Sequence, residues 1–120
     1  MARVASPRRG EVYLVNFDPT IGSEIRKTRP ALIIQNDIAN QNSPVTIVAA
    51  ITSKFDDKLY PTEVPLKKGE AGLSQDSVIL LNQLRTIDHM RLVKKYGKVS
   101  AVTIKRVNVS MKISLGLIEL

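Results

Sequence analysis

The chain has 120 residues, 43% of them hydrophobic, with 18 lysines and arginines against 11 acids, a net charge of +7, and neither cysteine nor tryptophan. This length suits one ordinary domain, so we predict a single domain over residues 1–120, with residues 1–8 as a flexible tail. The lack of cysteine excludes disulfides, thiolate metal sites and a thiol nucleophile. No secretory signal and no apolar run of bilayer length is present, which favours a cytoplasmic protein.

The positive charge is concentrated in one segment. Residues 85–112 contain eight basic side chains and one acid, Asp88, so this segment alone has the +7 of the whole chain. Because each neutralised phosphate releases counterions, a one-sided basic surface favours a polyanionic partner. A basic surface that serves only solubility remains an alternative.

The first two-thirds of the chain has the pattern of short strands separated by turns. Apolar and β-branched runs predict five strands, at residues 11–17, 31–35, 46–52, 62–66 and 77–85. The polar connection at residues 19–29 is long enough to be a functional loop. A second loop, at residues 53–61, is charged at its tip, and residues 36–44 allow at most a short helical turn. Five closely spaced strands indicate a small barrel or a strongly bent sheet.

The C-terminal segment has helical periodicity. Apolar side chains recur at steps of three or four residues, at Ile104, Val107, Met111, Leu115 and Ile118. This stripe predicts an amphipathic helix that docks across the barrel, with Ser100 as its N-cap. Three basic side chains fall off the stripe and are expected to face solvent: Lys105, Arg106 and Lys112.

The residue types that the chain lacks limit the catalytic mechanisms that it can use. His89 is the only histidine, so acid–base catalysis by two histidines is excluded within one chain. Its charged neighbours favour an ordinary surface position. Asp56 and Asp57 are adjacent acids in a loop flanked by lysines, and we expect them to be solvated rather than to bind a metal. The residues therefore predict no metal and no cofactor.

The densest polar cluster is the loop GSEIRKTRP, at residues 22–30. Arg29 precedes a predicted strand, and its planar guanidinium matches a phosphate or a phosphorane; an ion pair with Glu24 would be the purely structural role. Thr52 ends the run TIVAAIT, where its hydroxyl could simply terminate a strand or could orient a phosphate oxygen, with Glu24 as a base. Spacing alone leaves these alternatives open.

Several sequence blocks together resemble the MazF/PemK family of toxins, the mRNA interferases of bacterial type II toxin–antitoxin pairs. The blocks are RRGEVYLVNFDPTIGSEIRKTRPALIIQND, TIVAAIT and SVILLNQLRTID, and the resemblance runs from about Arg9 to the C-terminus. It implies a mainly β (α+β) fold, an SH3-like small β-barrel with a C-terminal helix, assembled as a homodimer. It also implies a cytoplasmic, metal-independent endoribonuclease that cuts single-stranded mRNA at short motifs and leaves 2′,3′-cyclic phosphate and 5′-hydroxyl ends. A cognate acidic MazE-like antitoxin is expected to neutralise this activity.

The resemblance implies roles for the residues that match the motifs of the family. It implies that Arg29 stabilises the phosphorane, that Thr52 contacts the scissile phosphate and that Glu24 is the loop carboxylate and the candidate base. Five further residues are predicted to bind RNA: Lys27, Asn36, Asp76, Ser77 and Gln83. Residues 25–28 depart from the pattern, because some members have a glycine-rich, uncharged stretch there, and this affects the expected loop mobility and sequence preference.

Two other functions fit the same residues. One is a non-catalytic toxin of the same barrel fold that inhibits a topoisomerase such as DNA gyrase, although the complete loop from G-S-E to R-P argues against it. The other is a plain basic RNA-binding module, which would bind RNA with a strong salt dependence and never cut it. Incubation of the protein with RNA separates both from an endoribonuclease.

Overall fold

The structure, a computed structural model, describes residues 6–24 and 27–119. Within these ranges the chain forms six strands and two α-helices: β1 (Glu11–Asn16), β2 (Thr28–Ile33), α1 (Asp37–Asn42), β3 (Val45–Thr52), β4 (Glu63–Leu66), β5 (Ser77–Asp88), β6 (Leu92–Lys98) and α2 (Ala101–Ser114). Short 3₁₀ turns at Glu70–Gly72 and His89–Arg91 precede β5 and β6. None of the helices in the described part of the chain is long and apolar enough to cross a bilayer.

All six strands belong to one antiparallel sheet with the order β4-β5-β3-β2-β1-β6. The predicted mainly β fold with a C-terminal helix is therefore confirmed. The prediction of five strands is wrong, because β6 lies inside the basic segment. Its sequence, LVKKYGK, has exposed lysines and a glycine, as expected of an edge strand, and so lacks the apolar run that reveals a central strand.

The sheet is an open barrel. Among the described residues, β4 and β6 are its two edges and do not pair with each other. The β4–β5 connection packs against β6 instead, and glycines make this approach possible. A Cβ atom at Gly72 would lie 2.3 Å from the carbonyl oxygen of Tyr96, and one at Gly97 would lie 2.7 Å from the carbonyl carbon of Ala71.

Both faces of the central strands are buried. One core cluster contains Leu32 and Ala49 and extends to Val107 of α2, whereas the other contains Ile33 and Val48. Since successive side chains of a strand point to opposite faces, neighbouring residues of β2 and β3 fill different clusters. This explains the uninterrupted apolar runs at residues 31–34 and 47–51.

Hydroxyl and carboxylate groups fix α2 on the barrel. Ser100 is the predicted N-cap and accepts the Thr103 N–H at 3.2 Å. The Glu70 carboxylate accepts the Ser100 N–H at 3.2 Å and the Thr103 hydroxyl at 2.7 Å. Further along the helix, the Ser110 hydroxyl donates to the Pro61 carbonyl at 2.6 Å. A negative charge beside the positive end of the helix dipole adds to these hydrogen bonds.

The predicted apolar stripe of this helix is too long. The helix ends at Ser114, and Gly116 follows in the left-handed region with φ 73°. Leu115 and Ile118 lie beyond the end and are 56% and 42% exposed. Thr103 and Ser110 occupy buried positions instead, which a search for apolar periodicity does not find. Lys105, Arg106 and Lys112 are exposed, as predicted.

Smaller differences concern the ends of elements. β2 begins at Thr28, three residues before the predicted strand, and residues 36–44 contain the six-residue helix α1. Residues 1–5 of the predicted tail lie outside the described residues. In residues 6–8, Pro7 is buried and the Arg8 N–H donates to the Glu11 carboxylate at 2.7 Å.

The backbone contact between Gly97 and Ala71 leads to a stability prediction. Gly97→Ala places a methyl group against main-chain atoms that cannot move away as a side chain could, so we expect a loss of about 1–3 kcal/mol in the free energy of unfolding. Urea unfolding measures it. The exposed Lys94 lies on the same strand, and Lys94→Ala should change stability by less than about 0.5 kcal/mol. Equal effects of the two variants would contradict the close approach.

Candidate functional site

Arg29 and Thr52 lie on adjacent strands at one end of the sheet. β2 pairs with β3 in a register that places Ala31 opposite Ala50. Arg29 lies two residues before Ala31 and Thr52 lies two residues after Ala50, so both are at the same end of this strand pair. The pairing thus brings the strand ends that hold the two predicted catalytic residues together, although 22 residues separate them in the sequence, and their side chains line different cavities.

Arg29 lines a cavity of about 380 Å³. The residue after β3 contributes Ser53, and the β4–β5 connection contributes Gln75. Ser77 at the start of β5 and Tyr96 of β6 complete this part of the lining. Arg29 is half-buried, so its charge is partly removed from water. A guanidinium held in a polar cavity that opens to solvent can bind an anion with charge-assisted hydrogen bonds.

Thr52 lines a neighbouring cavity of about 520 Å³ formed with residues of the β3–β4 loop. Its hydroxyl accepts the Lys54 N–H at 3.1 Å and donates to the Lys54 carbonyl at 3.3 Å. The hydroxyl therefore terminates β3 by holding the first turn of the loop. Its oxygen is fixed at the strand end, one strand away from Arg29.

The remaining predicted residues of the β1–β2 loop form hydrogen bonds within that loop. The Glu24 carboxylate accepts the Ile21 N–H at 2.5 Å, and the Lys27 N–H donates to the Asp18 carboxylate at 2.9 Å. Both residues are exposed, and neither lines the Arg29 cavity. Ile25 and Arg26, which depart from the family pattern, lie outside the described residues.

The other predicted RNA-binding residues divide between those that line the Arg29 cavity or contact the β1–β2 loop and those that do neither. Ser77 lines the Arg29 cavity and donates its hydroxyl to the Gln75 carbonyl at 2.9 Å. Gln83 lies where β5 leaves the ladder, and its side-chain amide donates to the Ser23 carbonyl at 3.5 Å. Asp76 accepts the Lys68 N–H at 2.8 Å. Asn36 caps α1, at the opposite end of β2 from Arg29.

Two arginines of the basic segment anchor the start of the β1–β2 loop, a role that the sequence did not indicate. The Arg85 guanidinium donates to the Phe17 carbonyl and lies 5.9 Å from the centre of its ring. Arg91 donates to the Asn16 carbonyl at 3.1 Å and to the Asp18 carbonyl. No local sequence signal connects residues this far apart. These charges hold the loop and are not simply spread over a surface.

A third basic residue of this segment also has a partner in the fold. Lys95 forms an ion pair with the buried Glu11, and the hydrogen bond and charge of Glu11 raise the pKa of the Lys95 ammonium above its usual value. His89 is half-buried and does not line the Arg29 cavity. Within the described ranges, no group of three or more acidic or histidine side chains is arranged to hold a metal ion.

The sequence matches a family described as "PemK-like, MazF-like toxin of type II toxin-antitoxin system" over residues 8–115. The chain belongs to this family. Two similar relatives are an endoribonuclease MazF from Staphylococcus saprophyticus, 48% identical over 92% of both chains, and an endoribonuclease EndoA from Bacillus subtilis, 44% identical over 93% of this chain and 97% of its own. The resemblance predicted from the sequence blocks is therefore confirmed.

Solved structures agree with the fold. A crystal structure of MazF from Deinococcus radiodurans superposes with a TM-score of 0.82 at 26% identity, over 94% of this chain and 99% of its own. A mycobacterial endoribonuclease in complex with its cognate antitoxin superposes with a TM-score of 0.79 at 20% identity, over 96% and 100%. The open barrel with its C-terminal helix is thus the fold of MazF-like toxins.

The hydrogen bonds of Thr52 give a prediction about the β3–β4 loop. In Thr52→Val the Lys54 N–H loses its acceptor, so hydrogen exchange at this amide should become faster. Stability should fall by about 1 kcal/mol. Thr52→Ser keeps the hydroxyl and should keep the protection. Unchanged exchange in the valine variant would show that the hydroxyl does not hold the loop.

Proposed function

We propose that this MazF-like protein is an endoribonuclease toxin that cuts single-stranded mRNA at short sequence motifs, with Arg29 and Thr52 acting on the scissile phosphate. One observation supports the assignment of these residues: the pairing of Ala31 with Ala50 brings the start of β2 and the end of β3, which hold Arg29 and Thr52, to the same end of the sheet. The function itself is supported by membership of a toxin family and by relatives named endoribonucleases at 44% and 48% identity.

The proposed chemistry uses the RNA as its own nucleophile. The ribose 2′-oxygen loses its proton and attacks the adjacent phosphorus, the P–O5′ bond breaks, and the products are a 2′,3′-cyclic phosphate and a 5′-hydroxyl. Charge builds up on the phosphorane oxygens, where the fixed donors of Arg29 stabilise it. Thr52 holds a phosphate oxygen with its hydroxyl. Because the nucleophile is internal, the reaction requires no metal-bound water and no cofactor.

Glu24 is the proposed base that takes the proton of the 2′-hydroxyl. Support comes from its place in the β1–β2 loop, which leads directly into β2 and Arg29. Its carboxylate accepts the Ile21 N–H in the structure, so the role requires that substrate binding draws the carboxylate from that turn. The proposed proton donor to the leaving 5′-oxygen is Arg29.

The predicted RNA-binding residues extend the proposal beyond the phosphate. Ser77 and Gln83 have the strongest structural support, because Ser77 shares the Arg29 cavity and Gln83 contacts the β1–β2 loop. Lys27 adds a positive charge to that loop. Asn36 and Asp76 lie outside the Arg29 cavity, and their contribution to an RNA groove requires a surface that spans more than this cavity.

We also propose the partners of this toxin. A homodimer would give an extended surface that RNA could span. A cognate acidic MazE-like antitoxin would compete for the basic surface and fold as it binds; the mycobacterial relative of the same fold is described in complex with its cognate antitoxin. The proposed location is the cytoplasm, where mRNA is available.

The activity assay is a direct test. A long unstructured RNA incubated with the purified protein in excess EDTA should be cut at a short recurring motif, with cyclic-phosphate ends on one side of each cut. Arg29→Ala should lower kcat at least about 100-fold, as removal of a single transition-state donor does. The exposed Arg106 provides a control, since Arg106→Ala should leave kcat unchanged.

Other outcomes contradict this assignment. Full activity in Arg29→Ala would exclude the arginine from the site. Cleavage that stops in EDTA would exclude the metal-independent mechanism. Binding of RNA without cleavage would indicate an RNA-binding module, whereas intact RNA together with inhibition of DNA gyrase would indicate a topoisomerase inhibitor.

The role of Glu24 has its own test. Glu24→Gln removes the base and keeps the acceptor oxygen of the Ile21 turn, so kcat should fall about 100-fold or more. A variant with nearly normal kcat would assign the proton transfer to another group.

A further inference from the structure

The exposed aromatic side chains of this protein are gathered at one place. The chain has five aromatic residues, two phenylalanines and three tyrosines, and the structure describes all of them. Phe17 is fully buried, and Tyr13 and Tyr96 are half-buried. Phe55 and Tyr60 are 42% and 69% exposed. Both belong to the β3–β4 loop, and both line the cavity that contains Thr52.

The backbone around these two rings is fixed at both ends of the loop. Near Phe55, the Thr52 hydroxyl holds the backbone of Lys54. Near Tyr60, the Glu63 carboxylate accepts the Tyr60 N–H at 2.8 Å, and the Glu63 N–H donates to the Tyr60 carbonyl at 2.9 Å. The rings are therefore presented by an anchored loop, which lowers the entropy lost when a ligand binds.

The balance of charges in this cavity indicates which class of ligand it fits. Its lining includes Lys54 and Lys58 as well as Asp56 and Glu63, so basic and acidic side chains balance. A cavity built only to bind phosphate would be predominantly positive. Exposed rings beside lysines are instead typical of surfaces that bind single-stranded nucleic acid, where unpaired bases stack on aromatic side chains.

We propose that Phe55 and Tyr60 form a stacking platform for unpaired bases of the RNA strand next to the scissile phosphate. This inference rests on the proposed function, because Thr52 connects the platform to the reacting phosphate. Lys54 and Lys58 neutralise the backbone of the stacked nucleotides, and the Asp56 carboxylate offers an acceptor to an exocyclic amino group of a base. The platform contributes affinity and base preference, while Arg29 contributes to the chemical step.

The test compares protein variants with RNAs that lack single bases. The probe is a short RNA that spans the mapped cleavage motif, made uncleavable by a 2′-deoxynucleotide at the cut, and a series in which one base at a time is replaced by an abasic site. For the wild-type protein, affinity should fall about 5- to 100-fold at one or two abasic positions. Phe55→Leu and Tyr60→Leu should weaken binding of the intact RNA by a similar factor. In these variants, an abasic site at the sensitive positions should lower the affinity little further, because the protein change and the RNA change remove the same contact.

The salt dependence separates stacking from phosphate binding. The leucine variants should keep the wild-type slope of log affinity against log salt, whereas Lys54→Gln should reduce the slope by about one. Ile38 is an exposed apolar residue on α1, and Ile38→Ala serves as the control that changes neither quantity. In cleavage assays, the leucine variants should raise KM with little change in kcat.

Several results would overturn the platform. One is an unchanged RNA affinity in both leucine variants. Another is additivity: the loss of binding free energy caused by an abasic site would be the same in the variants as in the wild-type protein. A change of oligomeric state in sedimentation would assign the rings to a contact between copies of this chain. If these results appear while Arg29→Ala still abolishes cleavage, the proposed function remains and only this inference fails. If the wild-type protein cuts no RNA, the proposed function is contradicted. Titration with short uridine and adenosine oligomers then still measures whether Phe55 and Tyr60 bind unpaired bases.

Discussion

The pairing of β2 with β3 is the constraint on which the rest of this structure depends. Both strands are buried on both faces, so every side chain from Ala31 to Ile33 has a place in one of the two core clusters. A slip of one residue would exchange the two faces and empty both clusters. The same pairing brings together the ends of the two strands that hold Arg29 and Thr52. The hydrophobic core therefore determines where these two candidate residues lie, although neither belongs to the core clusters.

Electrostatic interactions also stabilise the sheet and the start of the β1–β2 loop. Arg85 and Arg91 bind main-chain carbonyls at the start of the β1–β2 loop, and Lys95 neutralises the buried Glu11. Part of the basic segment therefore stabilises the fold, while the lysines of α2 remain in solvent. The charge count alone suggested a one-sided basic surface that serves a polyanionic partner or solubility. The structure divides it into internal anchors and charges that are available to a polyanion.

Most of the fold could be predicted from the sequence, but the site only in part. β3 and β5 are central strands with long apolar runs, which make them visible locally, whereas β6 is a charged edge strand and was missed. Arg29, Thr52 and Glu24 were selected as candidates because the chain lacks other reactive groups and because its blocks resemble a known family. The positions of Arg29 and Thr52 at one end of the sheet could not be derived, since they follow from the pairing of β2 with β3. The anchoring roles of Arg85 and Arg91 depend on contacts across about 70 residues of sequence, which no local pattern encodes.

The contact between the β4–β5 connection and β6 bears on how such a protein can change its specificity. Gly72 and Gly97 let two stretches of backbone touch directly, so the wall of the Arg29 cavity is supported by main-chain atoms. Ser74 and Gln75 contribute to the lining of the same cavity. Substitutions there can alter the size, the polarity and the hydrogen-bonding pattern of the cavity while the backbone contact that supports it stays the same. The fold thus separates the support of the site from its recognition surface, and a family of nucleases could diversify its sequence preferences on one unchanged frame.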